Sequence, residues 1–181
     1  MATAKQDAIA LLKADHRKVE GLFEQYEKAR STDKKLSLAK EICTELTVHT
    51  IIEEEIFYPA CTGKVEEDSL DEAYVEHDGA KIMIAEIEGS GPDQPFYDAK
   101  VKVLSEEIKH HVKEEERRSE GLFAQAKAAG VDMDALGARL AARKKELLAQ
   151  FKSSGLPSPE TRSFTGHKVI QKSPVGASAA A

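Results

Sequence analysis

Two short stretches carry residues whose types and spacing suit a metal ion. His49 and Glu53, in HTIIEEEIFYP at 49–59, are four residues apart, and so are His111 and Glu115, in HHVKEEE at 110–116. On a helix this spacing stacks an imidazole and a carboxylate on one face, one turn apart, as a two-toothed claw. His16 and His77 fall at the middle of two further helical stretches. Four helices would thus each carry a ligand at mid-height, and the expectation is a shared metal centre, with two irons the leading reading. Histidine and carboxylate donors without thiolates suit iron, manganese or zinc, and bundle interiors host paired iron or manganese.

Each residue has a plainer role to set against this one. A histidine such as His16 in an apolar stripe is commonly just packed and hydrogen-bonded, and Glu53 and Glu115 sit in acidic runs, which are usually solvated. A shared level for four histidines and two acids favours the cation, because an unpaired carboxylate in an apolar interior is strongly disfavoured. His110 with Glu114 repeats the spacing of His111 with Glu115. Helical phase favours the latter pair, which continues the seam from Leu104 and Ile108.

The elements that must position these groups follow from apolar steps of three and four. A first helix over about 4–30 aligns Ile9, Leu12, His16, Val19, Phe23 and Tyr26. A second, 34–57, aligns Leu38, Ile42, Leu46, His49, Glu53 and Ile56, with Pro59 and Gly63 ending it. A third, 70–88, aligns Leu70, His77, Lys81, Ile84 and Ile87. A fourth, 96–128, aligns Val101, Leu104, Ile108, His111, Glu115, Arg118 and Leu122. A shorter helix at 133–151 buries Leu136, Leu140, Leu147 and Leu148. Nothing alternates with period two, so the expected fold is all-α: an up-down-up-down antiparallel four-helix bundle with a short additional C-terminal helix, over 1–152. Residues 153–181 are rich in Ser, Gly, Pro and Ala and read as a mobile tail, with His167 outside the ligand set.

Composition narrows the function. At 181 residues and 41% apolar content the chain suits one domain, and a net charge of -6 supplies no basic stripe for nucleic acid. No window approaches a membrane span and no signal sequence opens the chain, so a cytoplasmic protein is expected. Cys43 and Cys61 are too few for a disulfide framework and read as bystander thiols.

The pieces LKADHRKV at 12–19 with Leu22 and Phe23, HTIIEEEIFYP, the pair Glu76–His77 and HHVKEEE resemble the hemerythrin-like, HHE cation-binding family over roughly residues 5–125. The stretch at 137–148 is similar to the end of bacterial single-domain members. The resemblance implies a non-haem di-iron centre, oxo- or hydroxo-bridged, with His16, His49, His77 and His111 as terminal ligands and Glu53 and Glu115 as bridges. It also exposes a departure: oxygen-carrying hemerythrins have a second histidine one turn after the third-helix histidine, where this chain has Lys81. One iron would then take fewer protein donors, or recruit water or a tyrosine.

An open position implies access for dioxygen, peroxide or nitric oxide. Lys81 could steady a bound anionic oxygen species or snorkel outward. Tyr26, Tyr58 and Tyr74 are candidates for hydrogen-bond donors behind the ligands or for radical quenchers, with core packing as the competing role. The leading expectation is a protein that binds or responds to such small molecules. The alternatives are a di-iron enzyme that decomposes peroxide or processes nitric oxide, and an iron or redox sensor acting through a protein partner.

Overall fold

A computed structural model describes residues 6–166, and His167 and the rest of the expected tail lie outside them. The chain forms α1 (Ala8–Lys28), α2 (Thr32–Ile52), a π-helical turn (Glu53–Phe57), α3 (Tyr58–Cys61), α4 (Glu67–Glu88), α5 (Tyr97–Glu115), α6 (Leu122–Ala128) and α7 (Met133–Ser154). No strand occurs among the described residues. Side chains close the N-termini of α1, α2 and α7, where Asp7, Ser31 and Asp132 accept from the amides of Ala10, Lys34 and Ala135.

The long helices pack in a ring: α1 on α2, α2 on α4, α4 on α5, and α5 back on α1. Their apolar faces build two separate cores. One joins Leu12 of α1, Ile52 of α2, Leu70 and Ala73 of α4 and Leu122, Phe123, Leu140 and Phe151 beyond α5. The other joins Val19 and Phe23, Leu38 and Leu46, Ala80 and Ile84, and Leu104 and Ile108. Burying each large apolar side chain contributes about 1.5–3 kcal/mol, so both cores hold the ring shut. His16, His49 and His77 lie, along their helices, between residues of the two cores, and His111 lies at the end of the α5 stretch that builds the second core. The ligand candidates form a polar layer sandwiched by hydrocarbon.

Three expectations change. The second helix does not stop at Pro59 but runs on to Cys61 through the π-turn. Proline has no N–H and its ring presses on the carbonyl four residues back, and a widened turn accommodates both. The fourth helix does not reach Ala128: it ends at Glu115, and the chain folds back before α6. Gly121 makes this reversal possible, since a Cβ there would lie 2.5 Å from the Glu115 carbonyl oxygen. Arg118 consequently sits in the bend, exposed, and not on the seam. Finally, α7 is not short but 22 residues long. It packs on α1 and α2, and comes so close to the start of α1 that a Cβ on Gly137 would meet the Gln6 carbonyl oxygen at 2.4 Å.

The segment after α7 is described as far as residue 166. Its Arg162 and Ser163 amides donate to Oδ2 of buried Asp78 at 2.7 Å each, and the Ser163 hydroxyl donates at 2.8 Å. No helix among the described residues is long and apolar enough to cross a membrane.

Candidate metal centre

The ring of helices brings all six proposed ligands together, none more than 4% exposed. Donor atoms of His16, His49, Glu53 and Glu115 lie within 4.8 Å of one another, as do those of Glu53, His77 and His111. Glu53 belongs to both groups. The Nε2 atoms of His16 and His49 are 3.0 Å apart, and those of His77 and His111 3.3 Å apart. His110, one residue away, points out and is 59% exposed at its side chain.

Behind each imidazole stands an acid. The Nδ1 of His16 faces Glu116 at 2.8 Å, that of His77 faces Glu54 at 3.1 Å, and that of His111 faces Glu76 at 2.7 Å. His49 is the exception: its Nδ1 is 3.7 Å from Asp15 Oδ2, a charge contact longer than a hydrogen bond, and both atoms are buried without a hydrogen-bond partner. An acid at Nδ1 draws the ring proton to that side, leaving Nε2 as a lone-pair donor facing inward. The braces run in one direction around the ring. Asp15 of α1 serves α2, Glu54 of the π-turn serves α4, Glu76 of α4 serves α5, and Glu116 after α5 serves α1.

The inner layer by itself is short of positive charge. Oε1 of Glu53 and Oε2 of Glu115 are buried without a hydrogen-bond partner, and the latter lies 3.4 and 3.5 Å from the Nε2 atoms of His16 and His111. Lone pairs converge on lone pairs, an arrangement that a cation turns from costly to favourable. The titration of the ligands records the same deficit. Burial, reinforced by His49, pushes the His16 imidazole down to about 2. Burial also opposes charge on His49, but Glu53 and Asp15 outweigh it and lift it to about 10. Burial and neighbouring Glu53 raise the Glu115 carboxyl. With two carboxylate oxygens unpartnered among converging imidazole nitrogens, these residues fit a bound cation.

Tyr58 enters this layer. Its hydroxyl donates toward Glu115 Oε1 at 3.0 Å and Glu53 Oε2 at 3.3 Å, and lies 3.1 Å from His77 Nε2. The π-turn is responsible, because its i→i+5 bond from the Tyr58 amide to the Glu53 carbonyl lays the ring over Glu53. Burial and the two carboxylates hold the phenol well above its ordinary pKa, as a neutral donor. Tyr74 stacks edge-on against Tyr58 with centroids 5.2 Å apart, outside the centre. Tyr26 is at the far core, donating to Asp98 at 2.7 Å.

Lys81 does not face the metal layer. Its ammonium is 2.7 Å from Glu54 and 3.0 Å from Asp78, and it donates to the Glu160 carbonyl at 3.2 Å. It therefore backs an acid that backs a histidine. Arg17 does the same for Glu116 at 2.8 Å, and Lys144 of α7 for Asp15. The braces Asp15, Glu54, Glu76 and Glu116 are not distinguishable by spacing among 32 acidic residues, yet each is the chain neighbour of a ligand, which is the signal that could have found them.

Cys43 and Cys61 are buried and unbridged, and burial pushes the Cys61 thiol up to about 12. Neither is a thiolate donor. A cavity of about 600 Å³ between α2, α4, α7 and the segment after α7 reaches Glu54 and Lys81 but none of the six ligands. A smaller one of about 300 Å³ reaches His111 and Glu115.

The sequence is similar to known proteins in three ways. The sequence model of the Hemerythrin HHE cation binding domain matches residues 7–123. A DNA nickase from Nostoc sp. is 28% identical over 106 residues, which are 59% of this chain and 30% of that protein, so the chain spans under a third of this curated relative. The crystal structure of a hemerythrin HHE cation binding domain-containing protein from Mycobacterium kansasii shares the fold, with a TM-score of 0.69 and 22% identity over 83% of this chain and 95% of that one. With the match at 7–123 covering well over half of its residues, the chain belongs to the hemerythrin HHE cation-binding family.

Proposed function

We propose that the chain holds two iron ions in an up-down-up-down four-helix bundle and binds or responds to dioxygen, peroxide or nitric oxide there. The observation that carries this reading is the inward aim of four Nε2 atoms, beside two buried carboxylate oxygens without hydrogen-bond partners. His16 and His49 would hold one ion and His77 and His111 the other, with Glu53 and Glu115 between them. Tyr58 supports this division, since its oxygen lies against the His77 side, where the family's further histidine is replaced by Lys81. When bound, the metal pair would supply reversible electron transfer to small oxygen and nitrogen ligands. The chain's own contribution is to orient three imidazoles through Glu116, Glu54 and Glu76, cover the layer with two apolar cores, and hold a phenolic proton at Tyr58 beside both carboxylates.

That proton favours a second reading, an enzyme that decomposes peroxide, because a donor facing the ligand site can serve a departing oxygen. No phosphate-neutralising stripe accompanies a net charge of -6, and we take the ligand to be a small molecule, with no nucleic acid or membrane involved. Two reduced thiols in the core suit a cytoplasmic setting.

The test is iron per chain after anaerobic reconstitution, with optical spectra before and after air and then peroxide. About two irons, with new absorption on oxidation that Glu53→Ala abolishes, is the expected result. One iron or none would overturn the di-iron reading, and sustained peroxide turnover would select the enzyme.

A further inference from the structure

Three of the four bracing acids are each paired with a permanent cation: Asp15 with Lys144, Glu54 with Lys81 and Glu116 with Arg17. The fourth is different. Among the described residues Glu76 pairs with no lysine or arginine, and its outward neighbour is His110, whose Nε2 is 3.5 Å from Glu76 Oε1. Glu72, one helical turn before Glu76, completes a cluster in which one donor atom each of Glu72, Glu76 and His110 lie within 4.8 Å of one another. One carboxylate and one imidazole of this cluster are open to water, and the third member, Glu76, touches His111 with its other oxygen at 2.7 Å.

Beneath this corner lies the cavity of about 300 Å³. Glu72, Glu76 and Glu114 line it together with the buried His111 and Glu115, and His110 stands beside it against Glu76. Glu115 is 2% exposed, and its Oε2, without a hydrogen-bond partner, lies against the Nε2 atoms of His16 and His111, so one residue both lines the acidic cavity and belongs to the inner centre. Glu107 registers the field at this corner: burial and then Glu76 raise its carboxyl. Arg117 is the cation nearby, and it is tied to Glu114 and Glu120 at 2.6 and 3.5 Å. At the other three corners an ammonium or guanidinium pairs with the bracing acid itself. Here the one guanidinium lining the cavity, that of Arg117, is held by Glu114 and Glu120 and leaves Glu72, Glu76 and His110 to a hydrated divalent cation.

We propose that Glu72, Glu76 and His110 form an outer capture site for a divalent first-row metal ion, and that the cavity under it is the path by which the ion reaches the inner centre. The inference rests on the reading that the inner residues hold metal, and assigns the order in which they receive it. The outer site offers two carboxylates and one imidazole, partly open to water, against the six buried donor residues of the inner centre, so the ion is held by more donors once it has moved inward.

The experiment is the rate of Co²⁺ uptake by the metal-free full chain, followed by stopped-flow absorbance at low micromolar metal. Glu72→Ala combined with His110→Ala should slow uptake at least tenfold while leaving the amount of Co²⁺ finally held by the inner ligands unchanged. Glu24→Ala, an exposed acid on α1 away from this corner, should leave the rate within twofold of wild type. An unchanged rate in the double variant, or an equal effect from Glu24→Ala, would overturn the entry site and leave the inner centre standing. No uptake by the wild-type chain would overturn the metal reading itself. Because both mutated side chains are exposed, a folding defect is not expected, and the far-ultraviolet circular dichroism of the metal-free variant checks it.

Discussion

The Tyr58 hydroxyl reaches across from the end of the second bundle helix to Glu115 of α5, 3.0 Å away, and supplies that carboxylate's hydrogen-bond donor at Oε1. Tyr58→Phe keeps the ring and its stacking on Tyr74 but strips the buried acid of its donor. The metal-free protein should lose about 1–3 kcal/mol of stability in urea unfolding. Iron binding should weaken on the His77 side, read as slower or incomplete occupancy of the second ion. Unaltered iron stoichiometry and stability would reduce Tyr58 to a packing residue.

The braces predict a set of variants remote from the metal itself. Glu54→Gln and Glu116→Gln keep the size of the side chain but weaken the pull on the Nδ1 proton of His77 and His16. Metal affinity should fall roughly 10- to 100-fold in competition with a chelator. Glu24→Gln, exposed on α1, should change nothing. Equal affinities for all three would mean that the acids merely solvate the bundle.

Asp78 fastens the segment after α7. Burial alone would raise its carboxyl, but the Ser163 and Arg162 donors and Lys81 outweigh burial and hold it at about 2. Asp78→Asn exchanges charge-assisted bonds for neutral ones, each worth about 1.5–3 kcal/mol when charged. Trypsin should cut after Arg162 roughly ten to a hundred times faster in this variant. Cleavage at the wild-type rate would show that the segment is held by something other than Asp78.

The far core offers a pH signature separate from the metal. Lys35, joined by Tyr26 and opposed by burial, depresses the Asp98 carboxyl below its ordinary value. A depressed folded pKa stabilises above the unfolded value of about 3.9 and loses that contribution as pH falls through the folded value. Urea midpoints from pH 5 to pH 3 should therefore decline less steeply in Asp98→Asn than in wild type. Parallel declines would remove Asp98 from the acid response.

The six inner groups were legible because helical steps of three and four put polar residues where leucines belong. His49, Glu53, His111 and Glu115 announce one another by spacing alone. Tyr58 could not be placed that way, since five residues on an α-helix is about 140° off the Glu53 face. Only the π-turn aligns them, and its cause, Pro59, reads in sequence as a stop. The end of α5 was hidden for a related reason: Leu122 keeps the seam's phase, while the reversal depends on the close backbone approach at Gly121. Lys81 was read for its position in the stripe, but its partners Glu54 and Glu160 come from other parts of the chain.

The one-way order of the braces also divides the chain into two equivalent halves. Asp15–His16 with His49, Glu53 and Glu54 repeats as Glu76–His77 with His111, Glu115 and Glu116. Each half braces one of its own histidines, through Asp15 and Glu76, and lends its last acid to the other half, through Glu54 and Glu116. This is the exchange pattern of a two-fold symmetric pair, written into a single polypeptide. A half cut free would keep two imidazoles and one carboxylate, but would need a second copy to reclaim the acid it had been borrowing.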